Sequence, residues 1–274
     1  MRDLIQRALD EDLGAGDLTS RAVVPEGSLA TGVVISKADG VVAGVDVAAA
    51  VFAAVDRDLT VERRAADGDR VAPGDELLAL RGDARAILAA ERVALNLLGR
   101  LSGVATLTAR YVAAIEGTGT RILDTRKTTP GMRALEKAAV VAGGGISHRF
   151  GLYDAILVKE NHVRVAGGVG EAARCALAGA PDGVTVEIEV ESLDELDEAL
   201  AAGVGRVLLD NMDPAVLRTA VDRTAGRAEL EASGGITLET VRAVAGTGVD
   251  FVSVGALTHS APALDVSLLF DPEL

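Results

Sequence analysis

Residues 121–164 concentrate the cations of a chain that is otherwise acidic. The window holds eight Lys and Arg residues against four acids, so its net charge is +4 within a chain whose total is −14. Three of the four lysines of the protein, Lys127, Lys137 and Lys159, lie in this window. Lysine ammonium groups bind phosphates as compact point charges. The window therefore predicts a binding site for a polyanionic, phosphate-bearing ligand.

Five cationic or potentially cationic groups of the window are predicted to share one rim of the fold: Arg126, Lys127, His148, Arg149 and Lys159. Such groups repel one another strongly when nothing neutralises them. Together they therefore require an anionic substrate. Three further cations of the window, Arg133, Lys137 and Arg164, fit helix caps or a solvated helix face.

Two carboxylates, Glu189 and Asp210, are predicted to face these cations. Carboxylate oxygens suit Mg²⁺ or the hydroxyl groups of a sugar. Glu189 alternates along one predicted strand with Glu187 and Glu191, so all three point to the same face and the choice among them is open. Cations, carboxylates and a phosphate site together indicate a sugar phosphate that bears pyrophosphate and binds with Mg²⁺.

Two glycine-bearing segments, Ser233–Gly235 and Val254–Ala256, follow the last two predicted strands. Loops after the final strands of α/β barrels commonly bind phosphate through backbone N–H groups. Glycine lets the backbone approach the phosphate closely. The two segments therefore predict a phosphate site, whereas the glycine run at 142–147 precedes a strand and fits a helix end and loop.

The histidines and the cysteine argue against other chemistries. His148 and His162 lack the i, i+4 spacing of a helical zinc pair, and His162 is expected to lie in a loop or to cap a helix. The single cysteine, Cys175, excludes an internal disulfide and an all-cysteine metal site. Its helical surroundings predict a plain core position.

Alternating strands and helices are predicted to position these side chains. From about residue 106 onward, β-branched runs alternate with helical patterns, and Ser192, Asp213 and Thr237 stand where helix N-caps are expected. Repeated strand–helix units imply a parallel sheet, and an α/β barrel gathers its polar chemistry at the C-terminal ends of the strands. The six predicted strands are 121–124, 154–158, 184–190, 206–210, 228–232 and 250–254.

The first hundred residues follow a different pattern. β-rich runs at 31–37 and 40–45 precede a long helical pattern over 84–115. The turns at 67–80 are superficially similar to those of biotinyl or lipoyl carrier domains, but no lysine stands at the turn to carry a cofactor. We predict a separate α/β domain that leads through the long helix into the barrel.

Length and composition exclude several classes of protein. With 274 residues, of which 49% are hydrophobic, the chain is long enough for two folded domains. Its net charge of −14 argues against a general binder of nucleic acids or anionic membranes. The acidic N-terminus lacks the apolar stretch of a signal peptide, and no run of about 18 apolar residues could span a membrane. We expect a soluble, cytoplasmic protein.

Seven segments, which run nearly end to end, carry a resemblance to a known family. They are DEDLGAGDLTS (10–20), ERVALNLLGRLSGVAT (91–106), DTRKTTPGMRALEKAAVVAGGGISHRFGLYDAILVKENH (124–162), EIEVES (187–192), LLDNM (208–212), EASGGI (231–236) and VDFVSVGALTHS (249–260). Together they resemble quinolinate phosphoribosyltransferase, also called nicotinate-nucleotide pyrophosphorylase (carboxylating). The block at 124–162 is the most specific of them.

The resemblance implies an N-terminal α/β sandwich domain (1–105), an incomplete α/β (TIM-like) barrel (106–257) and a C-terminal tail (258–274) that packs back on the N-terminal domain. It implies a homodimer. It also implies a pentosyltransferase of de novo NAD biosynthesis. With Mg²⁺, such an enzyme converts quinolinate and phosphoribosyl pyrophosphate into nicotinate mononucleotide, pyrophosphate and CO₂.

The resemblance also implies which residues bind quinolinate. Arg126, His148 and Arg149 match the residues that hold its carboxylates, with Thr125 in the loop of Arg126. Arg92 matches an arginine that family members lend across the dimer to the neighbouring active site.

The remaining roles concern the ribose and its phosphates. Lys127 and Lys159 match lysines at the junction of substrate and pyrophosphate, and Glu189 and Asp210 match the carboxylates that bind ribose and Mg²⁺. These four residues are the predicted catalytic set. The predicted phosphate-binding residues are Ser233, Gly234, Gly235, Val254, Gly255, Ala256 and His259.

Three alternatives compete with this interpretation. A paralogue of the same architecture is associated with molybdenum transport, but the lysine of VKENH (158–162) favours the quinolinate enzyme. A carrier-like interaction module, suggested by 67–80, leaves residues 120–260 unexplained. A generic phosphosugar barrel such as an isomerase explains the two phosphate loops but not so many cations.

Overall fold

The structure, a computed structural model, describes residues 1–272, which form two compact units. The first unit comprises Met1–Ala109, Thr129–Gly144 and the segment from Ser260 onward. The second comprises Arg110–Thr128 and Gly145–His259.

Four helices and five strands precede residue 115. They are α1 (Arg2–Leu13), α2 (Leu18–Val23), β1 (Leu29–Ser36), β2 (Gly40–Val41), α3 (Val45–Val55), β3 (Thr60–Arg63), β4 (Arg70–Val71), β5 (Glu76–Asp83) and α4 (Ala84–Ala114).

The elements after residue 115 include the predicted strand–helix alternation. They are β6 (Arg121–Leu123), α5 (Arg133–Ala142), β7 (Ile156–Val158), α6 (Glu160–Ala166), α7 (Val169–Gly179), β8 (Val186–Val190), α8 (Leu193–Ala202), β9 (Arg206–Asp210), α9 (Pro214–Thr224), β10 (Glu229–Ser233), α10 (Val241–Ala245), β11 (Phe251–Ser253), α11 (Ala256–His259) and β12 (Val266–Pro272).

The first unit contains a four-stranded antiparallel sheet in the order β12-β1-β5-β3. Every second residue of β1 is buried, so one face of this strand contributes to the core. Phe52 of α3, Leu77 of β5 and Ile87 of α4 are fully buried. The predicted tail supplies β12, which pairs with β1, whereas its last two residues, 273 and 274, lie outside the described residues.

The helical pattern predicted over 84–115 is observed as the continuous helix α4, Ala84–Ala114. The predicted domain boundary between residues 105 and 106 falls within this helix, whose residues divide between the two units after Ala109. Among residues 1–272, no helix combines the length and the apolar character needed to cross a membrane.

The second unit contains a six-stranded parallel sheet in the order β6-β11-β10-β9-β8-β7. Helices follow most of the strands, and β6 and β7 are the two edges of the sheet, as expected for an incomplete barrel. The prediction of an N-terminal α/β domain followed by an incomplete α/β barrel is confirmed.

Strand register determines which side chains of the central strands share a face. Glu189 of β8, Leu208 of β9 and Glu231 of β10 are in register. Asp210 and Ser233 form the next row toward the C-terminal ends of β9 and β10. Because side chains alternate along a strand, these rows lie on one face of the sheet. Glu231 of β10 therefore lies on the same face of the sheet as the alternating glutamates of β8.

Two of the three predicted helix caps are confirmed. The side chains of Ser192 and Asp213 accept backbone N–H groups at the starts of α8 and α9. The prediction for Thr237 is wrong, since α10 begins only after Thr240. The Thr240 hydroxyl accepts the Thr237 N–H at 2.9 Å, which holds the preceding residues in turns.

Two predicted environments are also wrong. Cys175 is exposed rather than in the core, because α7 turns Ala172 and Ala173 inward on another face. Lys137 is buried rather than on a solvated face, because it shares the buried side of α5 with Glu136.

Candidate active site

Lys159 and Glu189 join the ends of two neighbouring strands. Lys159 directly follows β7, Glu189 lies near the end of β8, and the lysine Nζ is 2.5 Å from the glutamate Oε2. Next to this pair, His162 Nδ1 accepts the backbone N–H of Lys159 at 2.9 Å. His162 therefore acts as a cap at the start of α6, as predicted.

Asp210 ends β9 and belongs to the same cluster of charges. Burial and the charge of Glu189 raise the pKa of Asp210. A hydrogen bond from Asn211 Nδ2 at 2.6 Å opposes this shift, as do the charges of Lys159 and Lys127. The charges of the other three members of the predicted catalytic set thus all act on the pKa of Asp210.

Glu189 and Asp210 fit a divalent cation. Both supply carboxylate oxygens, which are the ligands that Mg²⁺ prefers. The charge of Glu189 raises the pKa of Asp210, so these two carboxylates repel each other and a cation between them would relieve the repulsion.

The two glycine segments make close contacts with neighbouring side chains, and Lys127 and His259 among them are predicted site residues. A Cβ on Gly255 would lie 3.1 Å from Lys127 Cδ and 3.2 Å from the ring of His259. The Thr258 hydroxyl donates to the carbonyl of Lys127 at 2.8 Å and so holds the lysine loop against this segment. Gly234 has φ +99°, and a Cβ there would lie 2.1 Å from Asn211 Oδ1. Only glycine fits this position.

Arg126 and Arg149 form a cationic pair. Burial and the charge of Arg126 lower the pKa of Arg149, so the two guanidinium groups repel each other. Nε of Arg126 is buried, and it has no hydrogen-bond partner within residues 1–272. Arg149 Nη1 donates to the carbonyl of Ala155 at the long distance of 3.4 Å. A buried, unpartnered guanidinium nitrogen beside a second arginine fits the binding of an anionic ligand.

His148 is held by protein groups at both ring nitrogens. Its Nε2 is 3.0 Å from Glu187 Oε2 and 3.3 Å from Glu231 Oε2, and its Nδ1 accepts the N–H of Arg149 at 2.7 Å. Burial lowers the pKa of His148, but the hydrogen bonds and charges of the two glutamates outweigh it and raise this pKa to about 9. The Nδ1 contact opposes the rise, since an accepting nitrogen carries no proton. In this geometry the lone pair of Nδ1 faces the Arg149 N–H, so the ring proton lies on Nε2, between the two glutamates.

The other predicted residues have the following positions. Thr125 Oγ1 accepts the backbone N–H of Lys127 at 3.0 Å. Val254 donates its N–H to the carbonyl of Leu123, and Ala256 begins α11. Arg92 lies on α4 in the first unit with an exposed side chain. Its role in a neighbouring active site stays a prediction.

Sequence reasoning missed two acidic residues of this region. Asp124, which ends the first predicted strand and is fully buried, accepts the His148 backbone N–H at 2.8 Å. Glu231 was not selected, although Glu229 and Glu231 alternate along β10 as the glutamates of β8 do. The alternation on two strands of one sheet was the available signal.

Comparison with known proteins identifies the family of the chain. Models of the N-terminal and C-terminal domains of quinolinate phosphoribosyl transferase match residues 17–102 and 104–269. A nicotinate-nucleotide pyrophosphorylase [carboxylating] of Mycobacterium leprae is 47% identical over 273 residues, which cover 97% of this chain and 96% of that protein. A probable nicotinate-nucleotide pyrophosphorylase [carboxylating] of Bacillus subtilis is 42% identical over 268 residues, or 98% of this chain and 92% of the relative.

Solved structures agree with these sequence matches. The crystal structure of NadC from Streptococcus pyogenes superposes with a TM-score of 0.95 at 42% identity, covering 99% of this chain and 96% of that one. The nicotinate-nucleotide pyrophosphorylase of Francisella tularensis gives a TM-score of 0.94 at 39% identity, over 98% and 95%. With both domains matched and close relatives along nearly the whole length, the chain belongs to the quinolinate phosphoribosyltransferase family.

Proposed function

We propose that this protein transfers a phosphoribosyl group from phosphoribosyl pyrophosphate to quinolinate and releases CO₂. The product is nicotinate mononucleotide, and the reaction belongs to de novo NAD biosynthesis. The relatives at 42–47% identity bear the name of this activity. The observation that carries the proposal within this chain is the pair of Arg126 and Arg149, with a buried guanidinium nitrogen that no described residue engages.

The arginine pair suits a planar dicarboxylate. A guanidinium group binds a carboxylate through two parallel hydrogen bonds, so two such groups can hold both carboxylates of quinolinate. This also orients the ring, because the nitrogen lies next to one of the carboxylates. In this orientation the nitrogen can face the sugar, which Lys127, Gly255 and His259 would hold by its phosphates.

The transfer step needs stabilisation of charge rather than a protein nucleophile. The lone pair of the ring nitrogen forms a bond to the anomeric carbon, and the bond between that carbon and the pyrophosphate oxygen breaks. Lys127 and Lys159 stabilise the negative charge that develops on pyrophosphate. Glu189 and Asp210 would hold Mg²⁺, which neutralises charge on the departing pyrophosphate.

Decarboxylation follows from the charge on the ring. After transfer, the nitrogen bears a positive charge, so it stabilises the electron pair that stays on the adjacent ring carbon when the bond to the carboxylate breaks. CO₂ leaves, and a proton takes its place on the ring carbon. The remaining carboxylate stays paired with an arginine, which keeps the product in place.

Several features of this proposal are predictions. They are the requirement for Mg²⁺, the homodimer with Arg92 acting in the neighbouring active site, and the cytoplasmic location. Each rests on the resemblance or on the composition of the chain.

The test is a balance of products. Purified protein is incubated with quinolinate, phosphoribosyl pyrophosphate and Mg²⁺, and nicotinate mononucleotide, pyrophosphate and CO₂ are quantified. We expect equimolar formation of the three, with none when phosphoribosyl pyrophosphate is omitted. Failure to form the mononucleotide would refute the proposal, and formation of quinolinate mononucleotide without CO₂ would refute its decarboxylation step.

A further inference from the structure

We propose that Glu187 and Glu231 are positioning residues of the quinolinate site, which act by holding His148 and through it the peptide that carries Arg149. The inference rests on the proposed function, because it concerns the binding of quinolinate. It assigns a role to two buried acids that the transfer and decarboxylation steps do not use.

The two acids approach His148 from separate strands. Glu187 lies on β8 and Glu231 on β10, with β9 between them, and their side chains are 4% and 1% exposed. The Nε2–H of His148 donates to Glu187 Oε2 at 3.0 Å, and Glu231 Oε2 lies 3.3 Å from the same nitrogen. Because Nδ1 accepts the Arg149 N–H, the ring proton is on Nε2.

Both acids retain a buried oxygen without a hydrogen-bond partner. Within the described residues, Glu187 Oε1 and Glu231 Oε2 have no hydrogen-bond partner. Glu231 Oε2 makes only the longer ion-pair contact with His148. Such groups cost stability, so each one in a native protein needs an explanation. A role in orienting a functional side chain supplies one.

His148 is coupled directly to Arg149. The Arg149 N–H donates to His148 Nδ1 at 2.7 Å, and the His148 N–H donates to Asp124 Oδ1 at 2.8 Å. The imidazole ring and the two backbone N–H groups thus form one hydrogen-bonded unit. Because Glu187 and Glu231 fix the far side of the ring, they restrict the backbone from which the Arg149 side chain extends.

The same three side chains also lie within the distance range of a metal site. Their potential ligand atoms are within 4.8 Å of one another. A metal would need the lone pair of Nε2, however, and the geometry uses this nitrogen as a hydrogen-bond donor between two acids. We therefore infer that Nε2 of His148 carries a proton and does not bind a metal ion.

The test compares Michaelis constants in isosteric variants. Glu187→Gln and Glu231→Gln keep the size of the side chain but remove its charge, and the matched control is Glu229→Gln, on the same strand and face as Glu231. We expect the KM for quinolinate to rise at least about tenfold in both test variants, through loss of a charge-assisted hydrogen bond at Glu187 and of a buried ion-pair contact at Glu231. The KM for phosphoribosyl pyrophosphate should change less than about twofold, and the control should retain both values. An equal rise in both constants, or no rise, overturns the proposal.

A thermal unfolding cycle separates positioning through His148 from a general structural role. His148→Ala leaves two buried acids without their shared donor, so adding Glu187→Gln or Glu231→Gln to this variant should raise its Tm. In the wild-type background the same substitutions should lower the Tm or leave it unchanged. A loss of Tm in both backgrounds would overturn the coupling to His148.

A spectroscopic measurement tests the same contact without a change to His148, Glu187 or Glu231. The ¹⁵N and ¹H signals of His148, assigned by His162→Gln and His259→Gln, should show a proton on Nε2 throughout the neutral pH range. An unprotonated Nε2, or a Zn²⁺-dependent rise in Tm that Glu231→Gln abolishes, overturns the proposal. Wild-type protein without turnover of quinolinate would instead refute the proposed function, which keeps the two failures distinguishable.

Discussion

Nζ of Lys159 lies 2.5 Å from Oε2 of Glu189, yet the lysine side chain is 47% exposed and the glutamate only 12%. The lysine is therefore more accessible to a ligand than the carboxylate, which keeps a small exposed surface. An incoming pyrophosphate can take over the ammonium group. This would leave Glu189, beside Asp210, to bind a ribose hydroxyl or Mg²⁺. The ion pair thus connects one of the two lysines of the predicted catalytic set with one of its two carboxylates.

The first prediction is that Lys159→Ala removes activity without unfolding the protein. Loss of a cation that stabilises charge in the transition state should lower kcat by about 10²–10³-fold. Stability should change by less than about 1 kcal/mol, since the lysine side chain is 47% exposed and solvent screens its charge. Arg164→Ala is the control, because Arg164 forms an exposed ion pair with Glu160 on α6. Steady-state kinetics and thermal unfolding give the two quantities, and a folded variant with unchanged kcat would contradict the assignment.

The second prediction concerns the arginine pair. Arg126→Ala and Arg149→Ala should each weaken quinolinate binding by about 2–5 kcal/mol, as when one member of a buried charge pair is truncated. Binding of phosphoribosyl pyrophosphate should change much less. Arg149→Lys keeps the charge but loses the forked geometry, so it should have an intermediate effect. Calorimetry measures both ligands, and equal losses for the two would refute the assignment.

The third prediction is that Arg92 completes the active site of a partner subunit. Inactive Arg92→Ala protein is mixed with inactive Lys159→Ala protein, and the chains are allowed to exchange. In a mixed dimer one site then carries both substitutions and the other neither. Activity should recover to about a quarter of wild type, because random pairing makes half of the dimers mixed, with one intact site each. Confirmed exchange without recovery would place Arg92 in its own subunit's site or in none.

The fourth prediction concerns the N-cap of α2. Asp17 accepts the backbone N–H groups of Thr19 and Ser20, and hydrogen bonds from Ser20 lower the pKa of Asp17 from 3.8. Asp17→Ala should therefore cost about 1 kcal/mol at neutral pH.

The pH dependence of this cap has a definite sign. Because the folded-state pKa is lowered, the stabilisation is present above the unfolded pKa of 3.8 and is lost as the pH falls through the folded value. The difference between wild type and Asp17→Ala should shrink below about pH 4. Asp17→Asn, which caps without titrating, should keep its advantage over alanine in acid. Denaturant unfolding at several pH values measures this, and a difference independent of pH would contradict the assignment.

The fold was accessible to sequence reasoning because strand and helix periods differ. β9 was predicted at its observed bounds, Arg206–Asp210, and α4 to within one residue. The N-cap side chains at Ser192 and Asp213 fixed two helix starts. The error at Thr237 arose because Thr240, three residues later, is also a threonine, and periodicity does not decide which of the two precedes the helix.

The candidate site was accessible only in part. Cations, glycines and strand-end carboxylates could be found by residue type and position. The pairing of His148 with Glu187 and Glu231 could not, because it joins β8 and β10 to a segment outside the predicted strands. A residue type alone also does not show that both nitrogens of His148 are already engaged by protein groups. Such contacts depend on register and loop path.

The most direct measurement of the central claim is the ratio of kcat/KM for quinolinate and nicotinate, with phosphoribosyl pyrophosphate saturating. Nicotinate lacks the second carboxylate, so it would leave one guanidinium of the Arg126–Arg149 pair buried without a partner. Sites built for a polar group reject analogues that lack it by about 10⁴-fold or more. We predict a preference for quinolinate of this order, with release of CO₂ from quinolinate alone. Comparable kcat/KM values for the two acids would contradict the account.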